Sequence, residues 1–136
     1  MPGLKAAEID GRLEAAGIDK VYVFCVNDGA VMSAWKKAMG LEGSDMIEFL
    51  ADTHGDLTEA LGLVLTGDGK AYPKGDGPNK ALGFHTKRCK RSAMYVDNGV
   101  IKVMQIAEAP DDPAGDDRPE VSCIENMIKL IGELDK

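Results

Sequence analysis

Apolar residues occur along this chain both in continuous runs and at helical spacing, a combination typical of α/β proteins. Residues 20–26 (Lys-Val-Tyr-Val-Phe-Cys-Val) form a continuous β-rich run, which predicts a strand buried on both faces of a parallel sheet. Residues 46–51 (Met-Ile-Glu-Phe-Leu-Ala) predict a second strand. Because a helical pattern separates the two runs, we expect right-handed crossovers and a parallel core.

Helices are predicted around these strands. They are a first helix that carries Leu4, Leu13 and Ala16 on one face and ends at Gly17, a second over 30–39 and a third over 56–63. Residues 27–28 (Asn-Asp) offer an N-cap for the second helix, because their side-chain oxygens accept hydrogen bonds from free N–H groups of the first turn. Gly40 is its expected stop.

The second half of the chain predicts an antiparallel hairpin. Residues 92–96 and 100–104 carry strand patterns, and residues 97–99 (Asp-Asn-Gly) between them are a strong turn signal, because Asn and Gly tolerate positive φ. Loops are expected on both sides of the hairpin. The first is a segment rich in Gly, Pro and charge over 66–83, and the second is acidic and Pro-rich over 108–120.

A C-terminal helix is predicted after the second loop. Ser122 and Glu125 have the spacing of a capping box, in which each side chain bonds the other residue's backbone N–H. An apolar stripe follows at helical spacing: Ile124, Met127, Ile128, Ile131 and Leu134. The whole pattern predicts a single domain over 1–136, with helices that flank a central mixed sheet.

Composition narrows the classes of partner. The chain has 136 residues and a net charge of −7, which argues against nucleic acid, and no apolar run reaches the roughly 20 residues needed to span a membrane. The first residues show no signal-peptide pattern. One basic segment, residues 87–91 (Lys-Arg-Cys-Lys-Arg), is either a solvated edge or an electropositive pocket for an anion or a thiolate.

Three cysteines are the candidate chemistry. Cys25, Cys89 and Cys123 lack metal-binding spacing and only two histidines are present, so neither a metal site nor a cofactor is expected. Cys25 lies in the most apolar run, which predicts a small core residue whose thiol pKa is raised by burial. Cys89 is flanked by cations that would favour a thiolate, and the alternative is an incidental, half-exposed cysteine.

Cys123 is predicted in the first turn of the last helix. Unpaired N–H groups and the helix dipole stabilise an anion there, so a redox role is one interpretation, and a small residue that fits the helix start is the other.

Alternation along a strand would place Cys89 and Arg91 on the same face. None of the three thiols has a neighbouring base in sequence.

Four short motifs, taken in order, resemble one enzyme family. Residues 26–28 (Val-Asn-Asp) and 50–52 (Leu-Ala-Asp) end the two predicted parallel strands, residues 90–96 (Lys-Arg-Ser-Ala-Met-Tyr-Val) lead into the hairpin, and residues 97–99 (Asp-Asn-Gly) form its turn. From Pro2 to the end of the chain, this order and spacing resembles the peroxiredoxin 5-type (type II, redoxin family) thiol peroxidases. The resemblance implies a thioredoxin-like α/β fold.

The resemblance also implies a chemistry. In this family a peroxidatic cysteine attacks the peroxide O–O bond and becomes a sulfenic acid, which a second thiol reduces. Arg91 matches the family arginine that stabilises the thiolate and the charge developing on oxygen. Cys123 matches the resolving cysteine of some members. Cys25 stands where the family commonly has Ser and inherits no role, and Ser92 stands where an aromatic residue is usual.

The family's peroxidatic motif, Pro-x-x-x-Thr-x-x-Cys, does not occur in the 136 residues. Residues 1–3 (Met-Pro-Gly) match the Leu-Pro-Gly that follows that loop in the family, so we expect an N-terminally truncated domain that retains two thirds or more of the family's. Without the preceding strands, a central position of the sheet would expose backbone donors and apolar surface. That exposure predicts a homodimer or poor solubility.

Three hypotheses for function follow. The first is a peroxidase that lacks its N-terminal segment. It would reduce hydrogen peroxide and alkyl hydroperoxides, with thioredoxin, glutaredoxin or glutathione as electron donor. The second is a non-catalytic binding or redox-sensing module that acts through Cys123 or Cys89. The third is attack on peroxide by a remaining thiol beside Arg91. We expect little or no peroxidase activity from this chain. The cytoplasm is its default location, and an organelle stays open because a targeting segment would precede Met1.

Overall fold

The computed structural model describes residues 3–67, 70–71, 88–108 and 117–134. The chain forms two compact units, one of Lys20–Lys90 and one of Met1–Asp19 with Arg91–Lys136. The elements in chain order are α1 (Leu4–Ile9), α2 (Arg12–Ala15), β1 (Val21–Cys25), α3 (Gly29–Ala38), β2 (Ile47–Ala51), α4 (Asp56–Ala60), β3 (Thr66–Gly67), β4 (Lys70–Ala71), β5 (Ser92–Asp97), β6 (Val100–Ile106) and α5 (Ile124–Leu134). The single domain over 1–136 stays a prediction.

The two strands predicted in the first half are present and parallel. β1 and β2 pair along their whole length, so that Cys25 lies opposite Ala51 at their carboxyl ends. The crossover helix α3 begins after Asp28, whose carboxylate accepts a hydrogen bond from the N–H of Val31 at 2.9 Å. The predicted N-cap and the parallel pairing are therefore confirmed.

Helix α3 packs on one face of this strand pair. The rings of Trp35 and Phe49 meet edge to face with their centroids 5.1 Å apart, and Met32 is buried on the same helix. On the other face, the side chains of Tyr22 and Leu50 remain 54% and 42% exposed. Burial of β1 on both faces was therefore a wrong expectation, because β2 is the only strand that pairs with β1 among the described residues.

Asp52, which ends the Leu-Ala-Asp motif, organises the turn after β2. Its carboxylate accepts hydrogen bonds from the N–H groups of Leu57 and Thr58, at 3.1 and 2.8 Å, and from the Thr58 hydroxyl at 2.7 Å. Burial would raise the pKa of Asp52, but these hydrogen bonds outweigh it and hold the pKa below its ordinary value. Helix α4 begins at Asp56 as predicted and ends earlier, at Ala60.

The segment after α4 pairs with a segment from much later in the chain. Val64 forms an antiparallel bridge with Cys89. Backbone hydrogen bonds of 2.7 and 2.8 Å join residues 63–65 to residues 88–90 on either side of that bridge. This pairing carries Cys89 into the same compact unit as β1.

The two predicted loops are described in part. The loop over 66–83 begins with the short antiparallel pair β3 and β4, so the expectation of a loop without strands is wrong there. Its other positions, 68–69 and 72–83, lie outside the described residues, as do residues 109–116 of the acidic loop. The acidic loop leads into a 3₁₀ turn at Pro119–Ser122.

The predicted N-terminal helix is two short helices, α1 and α2. Gly11, between them, has a φ of 80°, a left-handed conformation that interrupts the helical hydrogen-bond ladder. The expectation of one continuous helix is therefore wrong. Leu4 and Leu13 are nevertheless buried, as are Met127 and Ile131 of α5 in the same unit.

The hairpin is confirmed. β5 and β6 pair antiparallel, and Asn98 and Gly99 in the turn have φ angles of 51° and 79°. Positive φ at both central residues is what a tight I′ turn requires. A register shift between Tyr95 and Val96 marks a local irregularity in the ladder.

Helix α5 begins one residue later than the capping box predicts. Cys123 is extended, with φ −78° and ψ 159°, and its carbonyl accepts a hydrogen bond from the N–H of Met127 at 3.1 Å. Cys123 is thus the N-cap residue rather than a residue of the first turn. The predicted pairing of Ser122 with Glu125 is wrong, because the Ser122 hydroxyl donates to the carbonyl of Pro119 at 3.3 Å within the 3₁₀ turn.

Replacing Asp52 by Ala should destabilise the protein. Asp52→Ala removes the acceptor for two backbone N–H groups and for the buried Thr58 hydroxyl, so the free energy of unfolding should fall by about 2 kcal/mol. Urea denaturation followed by circular dichroism measures the change. Asp19→Ala, at an exposed position, is the control and should cost less than about 0.5 kcal/mol. Equal losses for both variants would contradict the role of Asp52.

Candidate functional site

Two cysteines from distant parts of the chain meet at the carboxyl end of β1. Cys25 is the last residue of β1. Cys89 pairs with Val64 and follows Arg88, whose side chain donates to the carbonyl of Val26 just after β1. The Cys89 thiol hydrogen-bonds the Cys25 sulfur, and the Cys89 sulfur itself accepts from the backbone N–H of Val26. Both cysteines are free and half-buried.

Further donors surround the Cys25 sulfur. The Asn27 side chain donates to it from Nδ2 at 3.1 Å. Arg88 donates from Nη1 to the carbonyl of Val26 at 3.2 Å, and this contact holds the guanidinium at the same end of β1. Asp52 contributes the opposing charge. The local balance therefore favours a negative charge on this sulfur.

These surroundings lower the pKa of the Cys25 thiol to about 6. The hydrogen bond from Cys89 is the largest cause, burial opposes it, and the Asn27 amide and the Arg88 charge lower the pKa further. The hydrogen bond to Cys25, burial and repulsion from a Cys25 thiolate all raise the pKa of Cys89. The shared hydrogen bond therefore favours the thiolate form on Cys25 and the protonated form on Cys89.

This arrangement overturns the expectation for Cys25 and decides between the two interpretations of Cys89. Cys25, expected as a core residue with a raised thiol pKa, is half-buried and has a lowered one, because Cys89 and Asn27 donate to its sulfur. Of the two interpretations of Cys89, a thiolate among cations and an incidental half-exposed cysteine, the first is not favoured, because the hydrogen bond to Cys25 raises the pKa of Cys89. The electropositive-pocket interpretation of the basic segment holds in part, since Arg88 lowers the pKa of Cys25 rather than that of Cys89.

The residues that the family resemblance singled out lie in the other compact unit. Arg91 is exposed just before β5, and its carbonyl accepts a hydrogen bond from the N–H of Ala107 at 2.9 Å. Cys123 is half-buried, and its thiol donates to the carbonyl of Pro119 at 3.2 Å. β5 begins after Arg91, and Cys89 forms a separate bridge. The expectation that Cys89 and Arg91 share one strand face is therefore wrong.

Sequence reasoning missed Cys25 and Asn27 as functional candidates. The only signal was local, a cysteine at the end of a strand with an amide side chain two positions later. The partner of Cys25 is the Cys89 thiol, which comes from a segment far along the chain. No periodicity or spacing in the sequence shows that the two thiols lie close together. Burial in an apolar run therefore suggested an inert cysteine.

The groups at this end of β1 are suited to thiol chemistry. A thiolate attacks electrophilic sulfur or oxygen, and nearby hydrogen-bond donors and a cation stabilise this charged form of the thiol. Across the described ranges, no group of three or more His, Cys, Asp or Glu side chains is arranged to hold a metal ion. No helix in those ranges has the length and apolar character needed to cross a membrane.

Sequence comparisons match this chain to peroxiredoxins. The family model described as Redoxin matches residues 1–122. Peroxiredoxin-2E-2, chloroplastic, from Oryza sativa subsp. japonica is 35% identical over 108 residues, which are 79% of this chain and 42% of that protein. The hybrid peroxiredoxin hyPrx5 from Haemophilus influenzae is 36% identical over 115 residues, which are 85% of this chain and 39% of that protein. The chain thus spans about two fifths of the length of these relatives.

Solved structures agree with the sequence comparisons. Oxidized Prx3 from Vibrio vulnificus aligns with a TM-score of 0.69 and 32% identity, over 96% of this chain and 66% of that one. An X-ray structure of a peroxiredoxin aligns with a TM-score of 0.72 at 18% identity, which shows the fold. The predicted thioredoxin-like α/β fold is thereby confirmed. Because the redoxin model matches 1–122 and several peroxiredoxins exceed 30% identity, this chain belongs to the redoxin family as a peroxiredoxin-type protein.

Proposed function

We propose that this chain is the redox domain of a thiol-dependent peroxidase of the peroxiredoxin type. Its substrates in this proposal are hydrogen peroxide and alkyl hydroperoxides, and its electron donor is thioredoxin, glutaredoxin or glutathione. The match of the redoxin model to residues 1–122 carries the proposal. A structural relative, reduced Prx3 from Vibrio vulnificus, is described in complex with hydrogen peroxide, which supports the class of substrate.

Two residues have roles in this proposal. Arg91 stabilises the attacking thiolate and the negative charge that develops on the peroxide oxygen, and its position is exposed. Cys123 is the resolving thiol, which attacks the sulfenic acid and forms a disulfide. The initial nucleophile is the cysteine of the family's Pro-x-x-x-Thr-x-x-Cys motif, which the 136 residues do not contain.

A second candidate is a redox sensor that does not turn over peroxide. The lowered pKa of Cys25 favours this candidate, because a half-buried thiolate reacts with oxidants that an ordinary thiol resists. The sequence predicts such a role for Cys123 or Cys89. The geometry favours Cys25 as the reacting sulfur, with Cys89 as the thiol beside it.

Assembly and location complete the proposal. We propose a homodimer, supported by the exposed apolar side chains of Tyr22 and Leu50 on one face of β1 and β2. We propose the cytoplasm as the location. An organelle is the alternative, because two plant relatives are named as chloroplastic and a third as mitochondrial.

The peroxidase proposal predicts the behaviour of the 136-residue chain on its own. A mixture of hydrogen peroxide, thioredoxin, thioredoxin reductase and NADPH should consume NADPH no faster with the chain than without the chain, because the motif cysteine is absent. An in-frame Pro-x-x-x-Thr-x-x-Cys in the coding sequence before residue 1 would supply the nucleophile. The longer protein product should then turn over hydrogen peroxide. A longer product that carries the motif and remains inactive would contradict the peroxidase proposal.

The homodimer proposal predicts a mass that changes with concentration. Light scattering over a dilution series should show the mass of two chains at high concentration, and Tyr22→Ser together with Leu50→Ser should shift the series toward monomer by removing apolar contact area. Val100→Ser on the exposed hairpin is the control. A stable monomer at every concentration would contradict the homodimer.

The thiolate assignment predicts how alkylation of Cys25 depends on pH. The rate with iodoacetamide should rise as pH increases through about 6 and then level off, because the thiolate is the nucleophile. Cys89, Asn27 and Arg88 favour the charged form and Asp52 opposes it. Mass spectrometry of the tryptic peptide 21–36 follows the reaction.

Two asparagine variants give the matched comparison for that pH profile. Asn27→Ala removes one donor to the Cys25 sulfur, so its midpoint should move upward, toward the ordinary thiol value. Asn126→Ala removes an amide that donates to the carbonyl of Val121 instead and should leave the midpoint in place. A midpoint near 9.0 in the unmodified chain would show that Cys25 is an ordinary thiol.

A further inference from the structure

We propose that Cys25 and Cys89 are a redox-active pair that closes into an intramolecular disulfide when the protein meets a hydroperoxide. The pair lies apart from the Arg91 and Cys123 roles proposed above and uses neither residue. It also needs no peroxidase turnover, because a single oxidation completes the change. The inference therefore goes beyond the proposed peroxidase function.

The backbone around each sulfur holds the pair together. The carbonyl of Cys25 accepts hydrogen bonds from the N–H groups of Asn27 and Asp52, at 2.9 and 3.1 Å, which fix the end of β1. Cys89 is fixed by its bridge to Val64, and its sulfur accepts from the N–H of Val26. The two thiols thus hydrogen-bond to each other from separate, anchored segments.

The surroundings divide the chemical roles between the two sulfurs. The Asn27 amide at 3.1 Å and the charge of Arg88 stabilise a thiolate on Cys25, which makes Cys25 the nucleophile. Cys89 keeps its proton and lies beside the sulfur that is oxidised, which makes it the resolving thiol. Both side chains are half-buried, so a small peroxide can reach them while bulk solvent is partly excluded.

The reaction balances in two steps. The Cys25 thiolate attacks one peroxide oxygen, an S–O bond forms as the O–O bond breaks, and hydroxide or alkoxide leaves and takes a proton from water. The Cys89 sulfur then attacks the sulfenic sulfur of Cys25, the S–S bond forms, and the sulfenic oxygen leaves as water with the Cys89 proton. Two thiols lose two electrons in total, and one hydroperoxide is reduced to water or an alcohol.

Closure of the disulfide would change the charge at the end of β1. The thiolate that faces the Asn27 amide and the Arg88 guanidinium becomes a neutral sulfur. The bond would also tie residues 88–90 covalently to the end of β1, beside the hydrogen bond from Arg88 to the carbonyl of Val26. Oxidation is therefore expected to rigidify this segment, and the small reductant dithiothreitol is expected to reverse the change.

Mass spectrometry of the full chain tests the inference. One equivalent of hydrogen peroxide should lower the intact mass by about 2 Da without dimer formation, and dithiothreitol should reverse it. Iodoacetamide-reactive thiols should fall from three to one. Trypsin should then release peptide 21–36 joined to residues 89–90, while Cys123 remains alkylated in peptide 103–129.

Single variants assign the order of the two steps. In Cys89→Ser the first step still occurs, so dimedone should trap a sulfenic acid on peptide 21–36. In Cys25→Ser, the same peroxide should leave Cys89 as a thiol. A Cys123→Ser background removes the third thiol and isolates the pair. Measurements on the unmodified chain decide the question if a variant does not fold.

Two results would overturn the inference. The first is that Cys25 and Cys89 both stay alkylatable after peroxide, and the second is that the joined peptide comes only from disulfide-linked dimers on non-reducing gels. Failure of the peroxidase proposal would be seen in a different measurement, the turnover of peroxide with a thiol donor. Peroxide turnover without the joined peptide would contradict this inference but not the peroxidase proposal. The joined peptide without turnover would support this inference.

Discussion

The carbonyl oxygen of Cys25 accepts hydrogen bonds from the N–H groups of both Asn27 and Asp52, and the loops that leave β1 and β2 depend on this junction. One bond turns the chain out of β1 so that Asp28 can cap α3. The other holds Asp52, whose carboxylate accepts from the first turn of α4 and from the buried Thr58 hydroxyl. The ends of two parallel strands and the starts of two helices are thus fixed around one cysteine.

That junction also explains why the pKa of Cys25 is lowered. A buried thiol ordinarily has a raised pKa, because the low-polarity interior disfavours the thiolate. Here the chain reverses direction immediately after Cys25, so the Asn27 amide returns to its sulfur at 3.1 Å. Cys89 supplies the hydrogen bond with the largest effect, and Arg88 adds a positive charge. Local donors therefore outweigh burial at the end of the strand.

The motifs that identify the family are largely structural in this chain. In Val-Asn-Asp, the Asn27 side chain donates to a sulfur and Asp28 caps a helix. In Leu-Ala-Asp, the Asp52 carboxylate accepts hydrogen bonds from the first turn of α4. In Asp-Asn-Gly, Asn98 and Gly99 make the turn that joins β5 and β6. Each residue type satisfies a backbone requirement at its position, and this is why the motifs identify the fold even in a chain that does not contain the peroxidatic motif.

Local sequence patterns predict the elements that depend on a few neighbouring residues. Apolar runs gave β1 and β2, Asp28 gave the start of α3, and the Asn98–Gly99 turn gave the hairpin, because propensity, capping and positive φ act over a few residues. Tertiary structure alone decided the thiol chemistry. Cys89 comes to Cys25 from a distant segment that pairs with residues 63–65, and the pKa of a thiol depends on neighbours in space rather than in sequence.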